Sequence, residues 1–284
     1  SIGKGRMGFL LMDGRMASTR FRSLAIDSPP ILPDGKELRV KMQPIHVAVG
    51  LAMAGVTAVH AQAPAVPVTV DNFVRAESDM YMANLAKGSD LGKLSHRRQA
   101  ASVDNQTVVR LNRDTLYSSA VFDLDSGPVT VTLPDAGKRF MSMQVISEDH
   151  YVPDVFYGAG SHTLTREGVG TRYAVVGIRT LVDPGDPQDV KQVHALQDAI
   201  KVSQPGGPGK LEMPNWDPVS QKKVRDALLV LGSTTPDFKG AFGKKGEVDP
   251  VRRLLGAAGG WGGNPHKDAT YLNVTPPKND GKTV

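Results

Sequence analysis

The chain has 284 residues, of which 40% are hydrophobic and 22% are charged, and it contains no cysteine. This composition is typical of a globular protein, and it excludes a disulfide framework, a zinc–thiolate site and a cysteine nucleophile. The formal net charge is +5, but residues 1–61 hold eight basic and four acidic side chains. The remainder is therefore close to neutral and offers no basic surface for DNA or RNA.

Residues 42–61 have the pattern of a secretory signal peptide. A basic segment precedes Met42, an uncharged and mostly apolar run occupies residues 47–59, and small residues around Ala61 suit cleavage. The run is too short to span a bilayer as a helix, and a buried alanine-rich helix is the alternative interpretation. We expect a periplasmic or secreted protein without a stable membrane span. We also expect residues 1–41 to be disordered upstream sequence that is not native to the protein.

The next part of the chain predicts one helix followed by short strands. The helix occupies residues 69–87, with Asp71 as its candidate N-cap. Apolar and polar residues alternate in the third strand, which predicts burial of one face, whereas the fourth has the pattern of a strand buried on both faces. Glycine and proline turns between the strands favour an antiparallel meander within a sandwich or small barrel. The predicted strands are 107–111, 117–124, 129–133, 140–147, 161–165 and 173–179.

The last third of the chain repeats one helix-start signal three times. An aspartate directly before a proline can accept the free backbone N–H groups of a first turn, and proline suits the first helical position. These short helices should dock on the sandwich rather than stand alone. The predicted helices are 187–203, 218–231 and 250–258, with a flexible glycine-rich loop at 204–210 and a further strand at 269–274.

Several motifs resemble one bacterial family. Residues 69–77, 109–119, 140–151 and 255–281, with the boundary at Arg179 and Thr180, resemble proteins with a domain of unknown function, DUF1254, which is usually followed by a second domain, DUF1214. The resemblance implies a protein that is mainly β with α: an immunoglobulin-like β-sandwich, a small helical subdomain and a jelly-roll-type domain. It implies no established activity.

The resemblance also implies domain boundaries. We expect the sandwich with its leading helix at residues 68–180, the helical subdomain at 181–260 and the start of a truncated second β domain at 261–284. The missing C-terminal domain would be the packing partner of this chain. A homo-oligomer is left open.

The first candidate site is the corner formed by Asn112, Arg113 and Asp114, with Tyr117 in the following strand. An Asn-Arg-Asp corner can hydrogen-bond its own backbone, and this structural interpretation is one alternative. In the other, Arg113 grips an anionic or carbonyl group and Tyr117 offers its hydroxyl.

The second candidate site is the acidic stretch that contains Asp149, His150 and Tyr151 at the end of a strand. Adjacent strand residues point to opposite faces, so the pairs that can converge are Asp149 with Tyr151 or Glu148 with His150. One histidine and one carboxylate fall short of the three protein ligands of a catalytic zinc site. We therefore predict no metal site. The sequence has neither a phosphate loop nor a dinucleotide-binding fingerprint, so we also predict no cofactor.

Two functions follow from these candidates. The first is a cell-envelope protein that binds a small organic or envelope-derived ligand in a groove at the sandwich rim, through Asn112, Arg113, Tyr117 and Tyr151. The alternative is a hydrolase that uses His150 with a carboxylate, Asp149 or Asp114.

Overall fold

A computed structural model of the chain describes residues 64–101 and 112–273. Predictions for the signal peptide, for the strand at 107–111 and for the chain after residue 273 lie outside the described residues. The described part is mainly β with α. Its elements, in chain order, are α1 (Phe73–Gly88), β1 (Ser95–His96), β2 (Thr115–Asp123), β3 (Val129–Leu133), β4 (Met141–Ser147), β5 (Val155–Tyr157), β6 (Gly160–Leu164), α2 (Arg166–Val169), β7 (Tyr173–Leu181), α3 (Pro187–Asp198), β8 (Lys201–Ser203), α4 (Pro218–Gly232) and α5 (Pro250–Gly260).

The strands form two antiparallel sheets rather than a meander. One sheet has the order β1-β2-β7-β4-β5 and the other has the order β6-β3-β8. β7 lies between β2 and β4, with Val175 opposite Val121 on one side and Ile146 on the other. The meander prediction was wrong because turn residues indicate where the chain reverses, whereas the neighbour of each strand depends on contacts far apart in sequence.

The core between the sheets confirms the β-sandwich. Apolar side chains on alternate positions of both sheets meet there, among them Phe122, Val131, Met143 and Ile178. The alternation predicted for β3 is present, since Val131 is buried while its neighbours Thr130 and Thr132 face outward and hydrogen-bond to β6.

A layer of helices covers the outer face of the five-stranded sheet. Met82 of α1 and Trp261, which follows α5, pack on Val121, Ile146 and Val175 of that face. β4 is therefore buried along its whole length, as its sequence pattern predicts. α4 and α5 pack against α1 through a second apolar cluster. None of the helices in residues 64–101 and 112–273 is long and apolar enough to cross a membrane.

The three aspartate caps are confirmed. Their carboxylates accept backbone N–H groups in the first turns of α3, α4 and α5, at 2.8 Å for Asp186, 3.0 Å for Asp217 and 2.8 Å for Asp249. Helix α3 ends earlier than predicted, and residues 201–203 instead pair with β3 as strand β8. Helix α1 begins at residue 73 without a side-chain cap from Asp71. At residues 201–203, pairing with β3 outweighs helix propensity.

The glycine-rich loop at 204–210 is packed, so the prediction of a flexible loop was wrong. The Gln204 amide donates to the Asp123 carbonyl oxygen at 2.8 Å, and the Ser126 hydroxyl donates to the Gly206 carbonyl oxygen at 2.8 Å. A Cβ atom on Gly206 would lie 1.6 Å from the carbonyl oxygen of Ser126. Only glycine permits this approach of two backbones, and no local pattern reveals the partner.

Candidate functional site

In the corner before β2, formed by residues 112–114, two of the three residues stabilise the turn. The Asn112 side-chain oxygen accepts the Asp114 N–H at 3.1 Å, and its amide nitrogen donates to the Thr115 hydroxyl at 3.2 Å. Asp114 is exposed, and its carbonyl oxygen accepts the Val182 N–H at 2.8 Å. Asn112 and Asp114 therefore shape the turn, as the structural interpretation predicts for this kind of corner.

Arg113 has a different role from Asn112 and Asp114: it lines a cavity of about 290 Å³ at the edge of the sandwich. Its Nη1 atom is buried and has no hydrogen-bond partner among the described residues. Arg113 also forms no ion pair within residues 64–101 and 112–273. We call this space the rim cavity, and its lining residues are Arg98, Gln99, Ala100, Arg113, Leu116, Val182, Pro184 and Val190.

One wall of the rim cavity is apolar. Leu116 at the start of β2 and Val182 directly after β7 are buried, and they pack together with α3. Val190 extends this wall from the first turns of α3. The rim cavity thus forms where one end of the five-stranded sheet meets α3. Sequence reasoning missed these apolar residues, because an apolar residue at a strand end looks the same whether it faces a cavity or a packed core.

Arg98, the other cation of the rim cavity, is already paired. Its Nη1 atom donates to the His194 carbonyl oxygen at 3.0 Å and to the Gln197 side chain at 3.3 Å, and its Nη2 atom forms an ion pair with Asp198. These contacts fasten the segment that carries Arg98 to α3 and neutralise its charge. Arg113 is consequently the cation of the lining whose charge no described side chain balances.

Tyr117 does not share the rim cavity with Arg113. It follows Leu116 in β2, and neighbouring side chains of a strand point to opposite faces. On the outer face of the sheet, the Arg179 guanidinium lies over the Tyr117 ring at 5.6 Å from its centroid. Tyr117, Arg179, Ser142 and Tyr157 occupy one row across four strands. Arg179 was not among the candidate site residues predicted from the sequence, because strand position alone does not reveal cross-strand neighbours.

His150 is buried in a packed aromatic environment. Its ring lies 5.6 Å from that of Trp261 and 5.8 Å from that of Phe242, and its Nε2 atom accepts the Gly262 N–H at 2.9 Å. Accepting at Nε2 places the proton of the neutral ring on Nδ1. Burial, with a smaller effect of Arg253, lowers the pKa of His150 to about 3. An imidazole with this pKa is uncharged at neutral pH and is a weak general base.

Asp149 and Tyr151 connect the end of β4 to the helical layer. The Asp149 carboxylate accepts from Arg75 at 2.5 Å, while its carbonyl oxygen accepts from Arg253 at 2.7 Å. The same Arg253 lies over the Tyr151 ring, 4.6 Å from its centroid. Both residues are therefore engaged in contacts between structural elements.

The predicted site residues fall at opposite ends of the sheet. Arg113 precedes β2, whereas the row that contains Val121 and Ile146 adjoins the turn that carries His150. From Thr115 to Val121, β2 extends about 20 Å at roughly 3.3 Å per residue. Arg113 and Asp114 therefore do not converge with His150 and Tyr151. Within the described ranges, no group of three or more His, Asp or Glu side chains is placed to hold a metal ion.

Comparisons with known proteins agree with part of the predicted resemblance. Residues 91–178 match the family model described as "Protein of unknown function (DUF1254)". The matched range contains β1 to β6 and β7 as far as Ile178, and it includes Arg98 and Arg113. The following DUF1214 domain stays a prediction. A comparison with curated proteins finds no match.

A solved structure has a similar fold. The VPA0106 protein from Vibrio parahaemolyticus aligns with a TM-score of 0.53 at 14% sequence identity. The alignment covers 69% of this chain and 66% of that protein, so the chain spans slightly less than two-thirds of that protein's length. At this identity the similarity concerns the fold alone.

Proposed function

We propose that this protein is exported to the cell envelope and binds a small organic molecule in the rim cavity. The observation that carries the proposal is the Arg113 guanidinium: Arg113 lines the rim cavity, and its buried Nη1 atom has no acceptor among the described residues. A buried donor without a partner costs about 1–3 kcal/mol, so such groups call for an explanation. An anionic or carbonyl group on a bound ligand would give this guanidinium a partner.

The size and lining of the rim cavity support the proposal. Its volume of about 290 Å³ is at the lower end of the range of ligand pockets, which is roughly 300–1,000 Å³. An apolar wall with a few polar groups on one side is also the usual composition of such pockets. The hydrolase alternative has less support: the Nδ1 atom of His150 is also buried without a partner among the described residues, but His150 is packed between aromatic rings and does not line the rim cavity.

Filling the rim cavity should abolish ligand binding. We expect some compounds of a library of neutral and charged small molecules to raise the Tm of the wild type but not that of Val190→Phe. A ligand that binds only the native state stabilises it by RT ln(1 + [L]/Kd), about 2.7 kcal/mol at a hundred-fold excess over Kd. Thermal unfolding of both proteins with each compound measures this difference.

Val251→Phe is the matched control, since Val251 lies in the first turn of α5 and is 64% exposed. It should respond to the compounds as the wild type does. If no compound shifts the wild type, or if each active compound shifts all three proteins equally, the rim cavity is not a binding site.

Export has a separate test. The basic and apolar pattern of residues 42–61 supports cleavage after Ala61. We therefore expect N-terminal sequencing of the protein recovered from the periplasmic fraction or the medium to begin at Gln62. Recovery of an uncleaved chain from the cytoplasm alone would contradict export and would leave the binding proposal intact.

A further inference from the structure

We infer that the ligand of the rim cavity is a monocarboxylic acid with a small apolar body, anchored by Arg113. The inference rests on the proposed function and narrows it to one chemical class. It follows from the balance of charge in the lining, from the shape of the guanidinium group and from the apolar wall.

The charge balance of the lining indicates one negative charge on the ligand. Among the described residues, Arg98 and Arg113 are the ionisable members of the lining, and no described carboxylate belongs to it. The charge of Arg98 is matched by Asp198. One positive charge is left, on Arg113. A monoanion balances it, whereas a phosphate monoester brings close to two negative charges, and an amine adds a second cation.

The shape of the group favours a carboxylate among monoanions. A guanidinium is a planar fork of N–H donors that matches the two oxygens of a carboxylate, and the paired contacts are charge-assisted. The aliphatic side chains beside the contact lower the local dielectric constant and so strengthen it. The Arg113 guanidinium, which belongs to the lining of the rim cavity, then gains an anionic partner that the described part of the chain does not supply.

The apolar wall determines the body of the ligand. Leu116, Val182 and Val190 present aliphatic surface to the rim cavity, and they have no group that would hydrogen-bond a polar body. At about 30 Å³ for each water-sized group, the volume of 290 Å³ holds on the order of ten non-hydrogen atoms. Short branched or aromatic acids meet both conditions.

Calorimetric titration with two acids and their uncharged amides tests the inference. The probes are benzoate and isovalerate, with benzamide and isovaleramide as partners of the same shape, added at up to millimolar concentration to the full chain. We expect both acids to bind at least about tenfold more tightly than their amides. Arg113→Met should weaken binding of the acids by about 10- to 100-fold, because hydrogen bonds between charged partners are lost.

Two further variants test whether the ligand recognises the shape of the Arg113 guanidinium or only positive charge, at this site or anywhere on the protein. Arg113→Lys keeps the charge without the fork, and its affinity should lie between those of the wild type and Arg113→Met. Arg166→Met removes one positive charge near Asp125, at the other end of β2, and should leave the affinity unchanged. Circular dichroism and the Tm of each variant check that it is folded.

Each outcome of the titration decides the inference. If acids and amides bind equally and Arg113→Met has no effect, the monocarboxylate inference is overturned. The proposed function survives that result provided Val190→Phe still abolishes binding. If none of the four probes binds, the inference also fails, and the library comparison with Val190→Phe then decides the proposed function independently.

Discussion

Replacing Glu77 by alanine is expected to destabilise the protein by about 3 kcal/mol. Glu77 is fully buried in α1, and both its oxygens accept from the Arg225 guanidinium of α4, at 2.7 and 2.6 Å, while one also accepts from Gln221 at 2.9 Å. Removing one member of a buried ion pair leaves the other unpaired and costs about 3–5 kcal/mol. We take the lower value because the Arg225 side chain is 23% exposed. Urea unfolding measures the loss.

An exposed ion pair on α4, the helix that carries Arg225, provides the control. Lys222 and Asp226 are both more than half exposed, and Asp226→Ala should change stability by no more than about 0.5 kcal/mol. The double variant Glu77→Leu/Arg225→Met should be closer to the wild type than Glu77→Ala is, because it leaves no buried charge. A loss below about 1 kcal/mol in Glu77→Ala would show that this pair does not hold α1 to α4.

Asp79→Asn is expected to stabilise the protein at pH 8 by about 1–3 kcal/mol. Burial, and to a smaller extent the neighbouring Glu148 carboxylate, raise the pKa of Asp79 to about 7, against the lowering effects of a hydrogen bond from Trp216 and of Arg75. Since one pKa unit corresponds to about 1.4 kcal/mol, charging Asp79 costs at most about 4 kcal/mol. Asparagine can still accept from the Trp216 indole, and its NH₂ group can donate to Glu148. Thermal unfolding measures the gain.

The pH dependence of the gain identifies its origin. The pKa of Asp79 rises from 3.8 to about 7 on folding, so its contribution to stability falls as the pH rises from about 4 to about 7. The pKa of His150 falls from 6.5 to about 3, so its contribution is complete above pH 6.5 and is lost as the pH falls toward 3. The two contributions oppose each other between about pH 4 and pH 6.5.

Removing the Asp79 contribution should reveal that of His150. Between about pH 4 and pH 6.5, we expect the stability of Asp79→Asn to rise relative to the wild type by up to about 1.4 kcal/mol per pH unit. Asp149→Asn is the control, because the half-exposed Asp149 accepts two hydrogen bonds from Arg75 and its loss should not stabilise the protein. A gain for Asp79→Asn that is equal at pH 4 and pH 8 would contradict this account.

Local physical chemistry explains which predictions were confirmed. An aspartate cap and the proline after it act within one helical turn, so Asp186, Asp217 and Asp249 identify three helix starts without reference to the rest of the chain. The alternation in β3 likewise states which face is buried, since a strand repeats every two residues. These signals do not contain the partner of an element, which explains the failed meander and the overlong prediction for α3.

The candidate site was harder to predict than the fold. Arg113 was named from its corner, but the apolar wall that makes a cavity beside it comes from Leu116, Val182 and Val190, which are up to 74 positions apart. His150 has a side chain of the kind that catalyses proton transfer. In the structure, however, its ring packs against Trp261 and its Nε2 atom is occupied by a hydrogen bond from Gly262. Burial, and with it the pKa, depends on residues more than a hundred positions away.

By itself, the sequence determined the type and approximate limits of most elements, the sandwich class and the positions of three helix starts, because hydrophobic period, caps and turns act over a few neighbouring residues. Tertiary structure decided the pairing of β7 with β2 and β4, the joining of α1 to α4 and α5, and the separation of Arg113 from His150 at opposite ends of the sheet. Those features arise from packing between segments far apart in sequence. Such packing depends on how the side chains of both segments fit together, which a local sequence pattern does not reveal.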